Sequence, residues 1–341
     1  MLPCRHSFMP YADAAKGPNI VIDGQRNDNT VINLSHWPKS GTPWPLKADT
    51  SVAVVFKYLD MPEWHCDVAT VTNDHFDEDG LIGLFCMIEP EFALANRKLL
   101  IDSAQAGDFG FYSDRRAARI AFTISRLADP ATSPWVGSVI SENAFADYPG
   151  YCGAIYARLL DELKNIILEP EDYRDLWADE DALLEISEAA LEEGVAMIEE
   201  IGDIDLAVVR VPADWPEQAA HRVTQHRDVV IHPMAVHNRT LCNRVLTLSG
   251  ERADFEFRYE SWVQMVSRKP PLRVDFHPLA ETLNEIEGGE GRWSFDGVEE
   301  IVPKLRTEIG TTAIPHDQLL EVITTVMRDG EPAWDPYDVM S

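Results

Sequence analysis

Short apolar runs that end in polar residues predict strands in the first part of the chain. Residues 19–24 and 30–37 show this pattern, and residues 67–73 show it again. Runs of this kind are typical of buried strands in an α/β sheet. Apolar residues at helical spacing follow in the segments 52–59, 81–105, 114–128 and 151–168. This alternation predicts an α/β fold with a mainly parallel sheet and flanking helices.

The pattern changes in the second part of the chain. A strongly acidic stretch over residues 169–205 keeps an apolar stripe at helical spacing, so we expect a solvated helix there. Strand-like runs follow at 206–211, 228–233, 245–248 and 253–259, and helices are expected at 216–225, 278–286 and 298–307. We place a domain boundary at Gly202 and Asp203, which gives an α/β domain over residues 1–203 and a smaller α/β domain over residues 204–341.

The charge balance of the chain is strongly acidic. Its 341 residues include 58 acidic and 29 basic ones, which gives a formal net charge of -29. We expect no long nucleic acid as a partner, because binding to duplexes depends on Lys and Arg that neutralise phosphates. With no run of about 18 apolar residues and no signal-peptide pattern, we expect a soluble, cytoplasmic protein without a membrane partner. Assembly of the chain into a homo-oligomer is compatible with the sequence.

The most informative string is the acidic turn Asp74-His-Phe-Asp-Glu-Asp-Gly80, which directly follows a predicted strand. His75, Asp77 and Asp79 are spaced by two, so their side chains can converge at the strand end. One imidazole and two carboxylates suit Mn²⁺ most, with Mg²⁺ or Fe²⁺ as alternatives. Asp74 would orient His75 or take part in catalysis beside it.

The composition of this turn also brings two other interpretations into question. An EF-hand calcium loop is excluded, because its first ligand would be a histidine and its twelfth position is Cys86. An acidic helix cap with a hydrogen-bonded histidine stays open, because acidic residues are favoured before helix starts.

The acidic turn resembles the first motif of the DHH phosphoesterase superfamily, in which a strand ends in His-x-Asp-x-Asp-Gly before an apolar helix. The match covers Val71 to Phe85. A weaker similarity to the DHH-associated domain lies at 255–258, 273–276 and 287–297. This resemblance implies a metal-dependent phosphoesterase whose second domain contacts phosphate through a glycine-rich loop, here Gly288 and Gly289.

The chain departs from the DHH pattern at two points. Arg292 follows the glycine-rich loop where the family has a histidine, and no Asp-His-His tripeptide follows the first motif. Asp108 downstream, and Asp23 and His36 at the ends of the two early strands, would supply the remaining metal ligands if the sheet order were permuted. The chain is also similar to bacterial proteins that share its Ser-His-Trp-Pro segment and its acidic turn, a resemblance that implies no function.

A second candidate group is the pair Asn238 and Arg239, which follows His232 and His237. A guanidinium binds oxyanions with two parallel hydrogen bonds, so Arg239 or Arg292 would hold a phosphate oxygen of the substrate. An ordinary surface turn is the alternative for this segment.

Together these residues favour a divalent-metal-dependent phosphoesterase that acts on a small phosphorylated substrate or a short oligonucleotide. The chain has no Gly-x-Ser-x-Gly elbow and no P-loop, which argues against nucleophilic serine chemistry and against nucleotide binding through such loops. Two alternatives stay open: a non-catalytic or degenerate DHH-like binding protein, and a metal-dependent enzyme with a non-phosphate substrate.

Overall fold

The computed structural model describes residues 4–141, 143–215, 218–222, 225–288 and 292–338. The chain divides into two units. The first runs to Leu183 and also includes Ala219–Arg227 and Met265–Ser267, and the rest of the chain forms the second. The predicted boundary near residue 203 falls within the second unit.

The first unit is built on a four-stranded sheet. Its strands are β1 (Ser7–Phe8), β2 (Asn19–Ile22), β3 (Thr30–Leu34) and β4 (Thr70–Thr72). They are all parallel and lie in the order β1-β4-β2-β3. Every residue of β2 is buried, as expected of a central strand covered on both faces.

Helices cover this sheet. They are α1 (Tyr11–Ala14), α2 (Ser51–Asp60), α3 (Glu78–Ile88), α4 (Pro90–Ala95), α5 (Arg97–Phe109), α6 (Arg115–Ala128) and α7 (Tyr148–Leu168). Side-chain caps at Thr50, Asp77 and Asp114 accept a backbone N–H at the starts of α2, α3 and α6. Helix α8 (Arg174–Glu192) follows and continues into the second unit.

The second unit contains a mixed six-stranded sheet. Its strands are β5 (Met197–Ile201), β6 (Leu206–Arg210), β9 (Arg244–Ser249), β10 (Arg252–Phe257), β12 (Trp293–Phe295) and β13 (Lys304–Thr307). They lie in the order β12-β13-β10-β9-β6-β5. Only the β6–β9 pair is parallel among its described pairs. The helices in this part of the chain are α9 (Pro233–His237), α10 (His277–Glu287) and α11 (His316–Asp329).

Two further strand pairs complete the described structure. They are β7 (Gln218–Arg222) with β8 (Gln225–Val229), and β11 (Arg273–Val274) with β14 (Pro332–Trp334). In the described part of the chain, no helix combines the length and the apolar character needed to cross a membrane.

The α/β class is confirmed, but three predicted helices are wrong in part or whole. The acidic helix ends at Glu192, and Met197–Ile201 is strand β5. Gly194 adopts φ 72 between them, a left-handed conformation that ends helices. The helices expected at 216–225 and 298–307 are also wrong, because Gln218–Arg222 and Lys304–Thr307 are strands. Both segments mix polar and apolar residues, and strand pairing with β8 and with β12 rather than the local pattern sets their structure.

A close approach between α3 and β2 holds the acidic turn against the sheet. An added Cβ at Gly83 would lie 2.6 Å from the Cγ2 atom of Ile22, which is fully buried. Only glycine allows the helix to pack at this distance.

We predict that Gly83→Ala lowers the free energy of unfolding by about 1–3 kcal/mol, because the new methyl group overpacks a branched side chain that cannot move aside. Urea denaturation measures this. The matched control is Gly17→Ala, since nothing lies within 4 Å of a Cβ there. Equal stability of the two variants would contradict the packing argument.

Candidate metal centre

Polar side chains from three strands meet at one edge of the first sheet. Strands β2, β3 and β4 are parallel neighbours, so their carboxyl ends lie at the same edge, where open α/β sheets usually bind ligands. Asp23 directly follows β2, and His36 follows β3 after one further residue. Asp77 and Asp79 lie in the acidic turn after β4 and at the start of α3.

The first group of candidate ligands is fully buried. Asp23, His36 and Asp79 offer ligand atoms that all lie within 4.8 Å of one another. The Nε2 atom of His36 is 3.4 Å from Asp23 Oδ1 and 3.8 Å from Asp79 Oδ2. Asp108, on α5, places its Oδ2 atom 3.6 Å from the same nitrogen. Three carboxylates therefore surround one imidazole nitrogen, an arrangement in which all four groups could bind the same cation.

The tautomer of His36 follows from its other nitrogen. The Nδ1 atom lies 2.6 Å from the backbone oxygen of Asp49, which can only accept a hydrogen bond, so Nδ1 carries the proton. Burial lowers the pKa of His36 to about 4, so the imidazole is neutral at physiological pH. Its Nε2 lone pair therefore points at carboxylate oxygens, the arrangement that metal-binding histidines adopt.

The second group consists of Asp23, His75 and Asp77. The Nε2 atom of His75 is 2.9 Å from Asp77 Oδ2 and 3.6 Å from Asp23 Oδ2. Its Nδ1 atom is 3.2 Å from Asp74 Oδ1, so Asp74 is placed to orient the ring. The side chains of His75 and Asp77 are 21% and 23% exposed, whereas Asp23 and His36 are fully buried. The second group is therefore the one that solvent reaches.

Asp23 belongs to both groups. Its Oδ1 atom faces His36 and its Oδ2 atom faces His75. Its backbone adopts φ 55, a left-handed conformation uncommon for a residue other than glycine. The next residue is Gly24, where an added Cβ would lie 2.3 Å from Asn73 Oδ1 and 2.4 Å from Asp74 Oδ1. The chain thus turns sharply after β2 and directs one carboxylate between two histidines.

Backbone groups and a hydroxyl hold the carboxylates in place. Both oxygens of Asp79 accept from the start of α2, from Ser51 N at 2.6 Å and Val52 N at 2.8 Å. The Ser51 hydroxyl donates to Asp23 Oδ1 at 2.6 Å. Asp77 caps α3 by accepting from Gly80 N at 2.8 Å through Oδ1, while Oδ2 faces His75. The capping interpretation and the ligand interpretation of Asp77 are therefore compatible, since they use different oxygens.

The cluster concentrates negative charge in the protein interior. Burial, and then the neighbouring carboxylate of Asp77, raises the pKa of Asp79 to about 7. Burial and nearby carboxylates also raise the pKa of Asp23 and of Asp108 well above the usual range. Burial alone would lower the pKa of His75, but Asp77 and the other adjacent carboxylates outweigh it and raise the pKa. A bound divalent cation would relieve this repulsion.

Aromatic side chains support the second group, and sequence reasoning missed them. The Trp37 ring stacks on the His75 ring with centroids 4.7 Å apart. The Tyr156 hydroxyl donates to the backbone oxygen of His75 at 2.7 Å. Ser51 was missed as well. Trp37 directly follows His36 in the sequence, which is a weak signal, whereas nothing in the sequence connects Tyr156 with residue 75.

The predicted phosphate-binding residues lie in the second unit. Arg239 forms an ion pair with Glu192 at 2.9 Å, and Arg292 forms one with Glu287 at 3.2 Å. Gly288 ends α10 in the left-handed conformation, with φ 70. Asn238 is the residue that follows α9, and Gly289 lies outside the described residues. The phosphate contacts of this set stay a prediction.

The fold and the site together define an α/β protein with a buried Asp/His/Asp group that could hold a metal ion. The chain belongs to a family of unknown function, DUF6687, whose sequence model matches residues 4–338. Neither the curated proteins nor the solved structures include a significant match to the chain.

We predict that the protein stripped of metal by EDTA loses thermal stability as the pH rises from 6.5 to about 8. Asp79 has its pKa raised from 3.8 to about 7 in the folded state. An acid with a raised folded pKa contributes stability that is present at low pH and is lost as the pH rises through the folded value. The raised pKa values of Asp23, Asp108 and His75 act in the same direction.

The lowered pKa of His36 makes stability rise with pH, but only at pH values below the ordinary histidine pKa of 6.5. The predicted loss of stability is therefore measured from pH 6.5 upward. Calorimetric melting temperatures measure the trend, and protein with added Mn²⁺ is the control. A melting temperature that stays constant or rises in EDTA over this range would contradict the prediction.

Proposed function

We propose that this chain is a divalent-metal-dependent phosphoesterase with a two-ion site, with Mn²⁺ the preferred metal. The observation that carries the proposal is the position of Asp23, whose two oxygens face two separate histidines. A carboxylate shared by two ligand groups can contact two adjacent cations, as in two-metal sites.

Each candidate ligand has a place in this proposal. His36, Asp79 and Asp108 would hold the buried ion, His75 and Asp77 would hold the accessible ion, and Asp23 would contact both. Imidazole and carboxylate ligands without thiolates suit manganese, magnesium or iron better than soft metals. Two such ions supply Lewis acidity at a phosphoryl oxygen and lower the pKa of a bound water.

The difference in exposure between the two groups indicates where the substrate enters. His75 and Asp77 are about one-fifth exposed, whereas the side chain of His36 is completely buried. We infer that the substrate approaches from the His75 side and that Trp37, stacked on His75, limits the movement of this ring. Asp74 would fix the tautomer of His75 by accepting from Nδ1.

A distant relationship to the DHH superfamily is part of the proposal. The strand, acidic turn and apolar helix of its first motif correspond to β4, residues 74–80 and α3. The chain lacks the Asp-His-His tripeptide, but Asp23, His36 and Asp108 occupy the same cluster as the motif. This geometry supports the substitution of ligands from other strand ends, and a small phosphorylated substrate or a short oligonucleotide stays the proposed substrate class.

We predict that purified protein dialysed against Mn²⁺ holds about two ions per chain, and that Asp23→Asn loses most of this metal because both groups lose a ligand. Elemental analysis by mass spectrometry measures the stoichiometry. The control is Asp67→Asn, which makes the same charge change at an exposed position just before β4. Wild-type metal content in Asp23→Asn would rule out a shared ligand.

Manganese-loaded protein should release nitrophenolate from p-nitrophenyl phosphate or from bis(p-nitrophenyl) phosphate, as water adds to phosphorus and the ester P–O bond breaks. Asp23→Asn should lower kcat/KM by at least about 100-fold, while Asp67→Asn should match the wild type. Stoichiometric metal without hydrolysis of either ester would contradict the phosphoesterase proposal and favour a binding protein or a non-phosphate substrate.

A further inference from the structure

Most arginines of the first unit are held by carboxylates of the same unit. Nine arginines precede Leu183 in the sequence. Six of them form ion pairs: Arg97, Arg115, Arg116, Arg119, Arg158 and Arg174. Arg26 is exposed and forms neither a hydrogen bond nor an ion pair within the described part of the chain. In a chain with twice as many acidic as basic residues, a free guanidinium suggests an anionic ligand.

Arg26 lies at the edge of the sheet that carries the metal centre. It follows Asp23 by three residues, in the loop between β2 and β3. The backbone N–H of Gln25, its neighbour, donates to Asp74 Oδ1 at 3.3 Å, and Asp74 in turn contacts His75. The loop that carries Arg26 is therefore attached directly to the residues around the accessible ion site.

The guanidinium reaches the next loop along this edge. An added Cβ at Gly41 would lie 3.3 Å from Arg26 Nη1. Gly41 belongs to a turn that folds back onto the end of β3, because Thr42 Oγ1 donates to the Ser35 oxygen at 2.8 Å. Ser35 immediately precedes His36. Arg26 thus spans the loops that leave β2 and β3, which are the two strands that supply Asp23 and His36.

The loop that follows β3, over residues 35–48, is basic in spite of the acidic chain. Residues 29–48 include Lys39 and Lys47 but no acidic residue, although 58 of the 341 residues are acidic. Lys47 is buried, and its Nζ atom donates to the Ser35 oxygen at 3.0 Å and to Ser40 Oγ at 2.9 Å. Its charge is therefore fixed beneath the same turn. Lys47 thus brings a positive charge close to His36 and the carboxylates of the metal centre, where an anionic substrate would meet the metal ions.

We propose that Arg26 binds the phosphate group of the substrate at the edge of the metal centre, a role assigned from the sequence to Arg239 or Arg292. This inference rests on the proposed function, because it names the residue that recognises the substrate of the same site. A guanidinium donates two parallel hydrogen bonds to phosphate oxygens and stays charged at every physiological pH. Because Arg26 has no hydrogen-bond or ion-pair partner among the described residues, its guanidinium gives up no such contact when it binds phosphate.

The test is calorimetric titration of inorganic phosphate into the full-length protein in manganese buffer. Arg26→Gln should weaken phosphate binding by about 10- to 100-fold, since a charge-assisted bidentate contact is lost. Arg26→Lys should weaken phosphate binding less than Arg26→Gln does, because the positive charge remains. The control is Arg5→Gln, which removes another exposed arginine without an ion pair in the described chain, two residues before β1 and hence at the opposite edge of the parallel sheet.

The outcomes separate this inference from the proposed function. Unchanged phosphate affinity in Arg26→Gln, an equal loss in Arg5→Gln, or no phosphate binding by the wild type would overturn the role of Arg26. Phosphate binding that depends on Arg26, in a protein that hydrolyses no phosphate ester, would support the role of Arg26 and contradict the phosphoesterase proposal. Manganese content should be the same in all four proteins, because none of the variants removes a candidate ligand.

Discussion

Carboxylates buried beside one another repel strongly in a low-dielectric interior. Here three carboxylates surround the neutral imidazole of His36: Asp23 after β2, Asp79 at the start of α3 and Asp108 near the end of α5. The start of α2 holds this arrangement. The first two N–H groups of α2 neutralise part of the charge on Asp79, and Ser51 fixes one oxygen of Asp23. The remaining charge is balanced most simply by divalent cations, so the fold and the proposed chemistry share one electrostatic requirement.

The two ligand groups differ in their surroundings, and the proposed mechanism gives each a separate task. The His36 group is closed off by its burial and by the hydrogen bond to the Asp49 oxygen. The His75 group is open to solvent and lies beside the loop that carries Arg26. An ion in the first group would be retained, and an ion in the second would meet the substrate. A buried ion beside an accessible one is suited to hydrolysis at a phosphoryl centre.

The sequence allowed β2, β3 and β4 to be predicted, but not the two-residue strand β1. Candidate ligands could be named because a short apolar run that ends in Asp or His places that residue at a strand end. The convergence of Asp23 and His36 on the acidic turn depends on the strand order β1-β4-β2-β3, which no local pattern encodes. The contacts from Ser51 and the Asp49 oxygen were missed, because they arise from the start of a helix packed on the strand ends. In the second unit, the mostly polar segment Lys304–Thr307 forms a strand because tertiary pairing outweighs local propensity.

The central claim is that Asp23 lies between two metal ions. Anomalous X-ray diffraction from manganese-soaked crystals, recorded at the manganese absorption edge, tests it most directly. A two-ion site predicts two peaks about 3.5–4 Å apart, one beside His36 and one beside His75, with a different oxygen of Asp23 directed at each. A single peak away from Asp23, or no peak at the ends of β2, β3 and β4, would contradict the two-ion site.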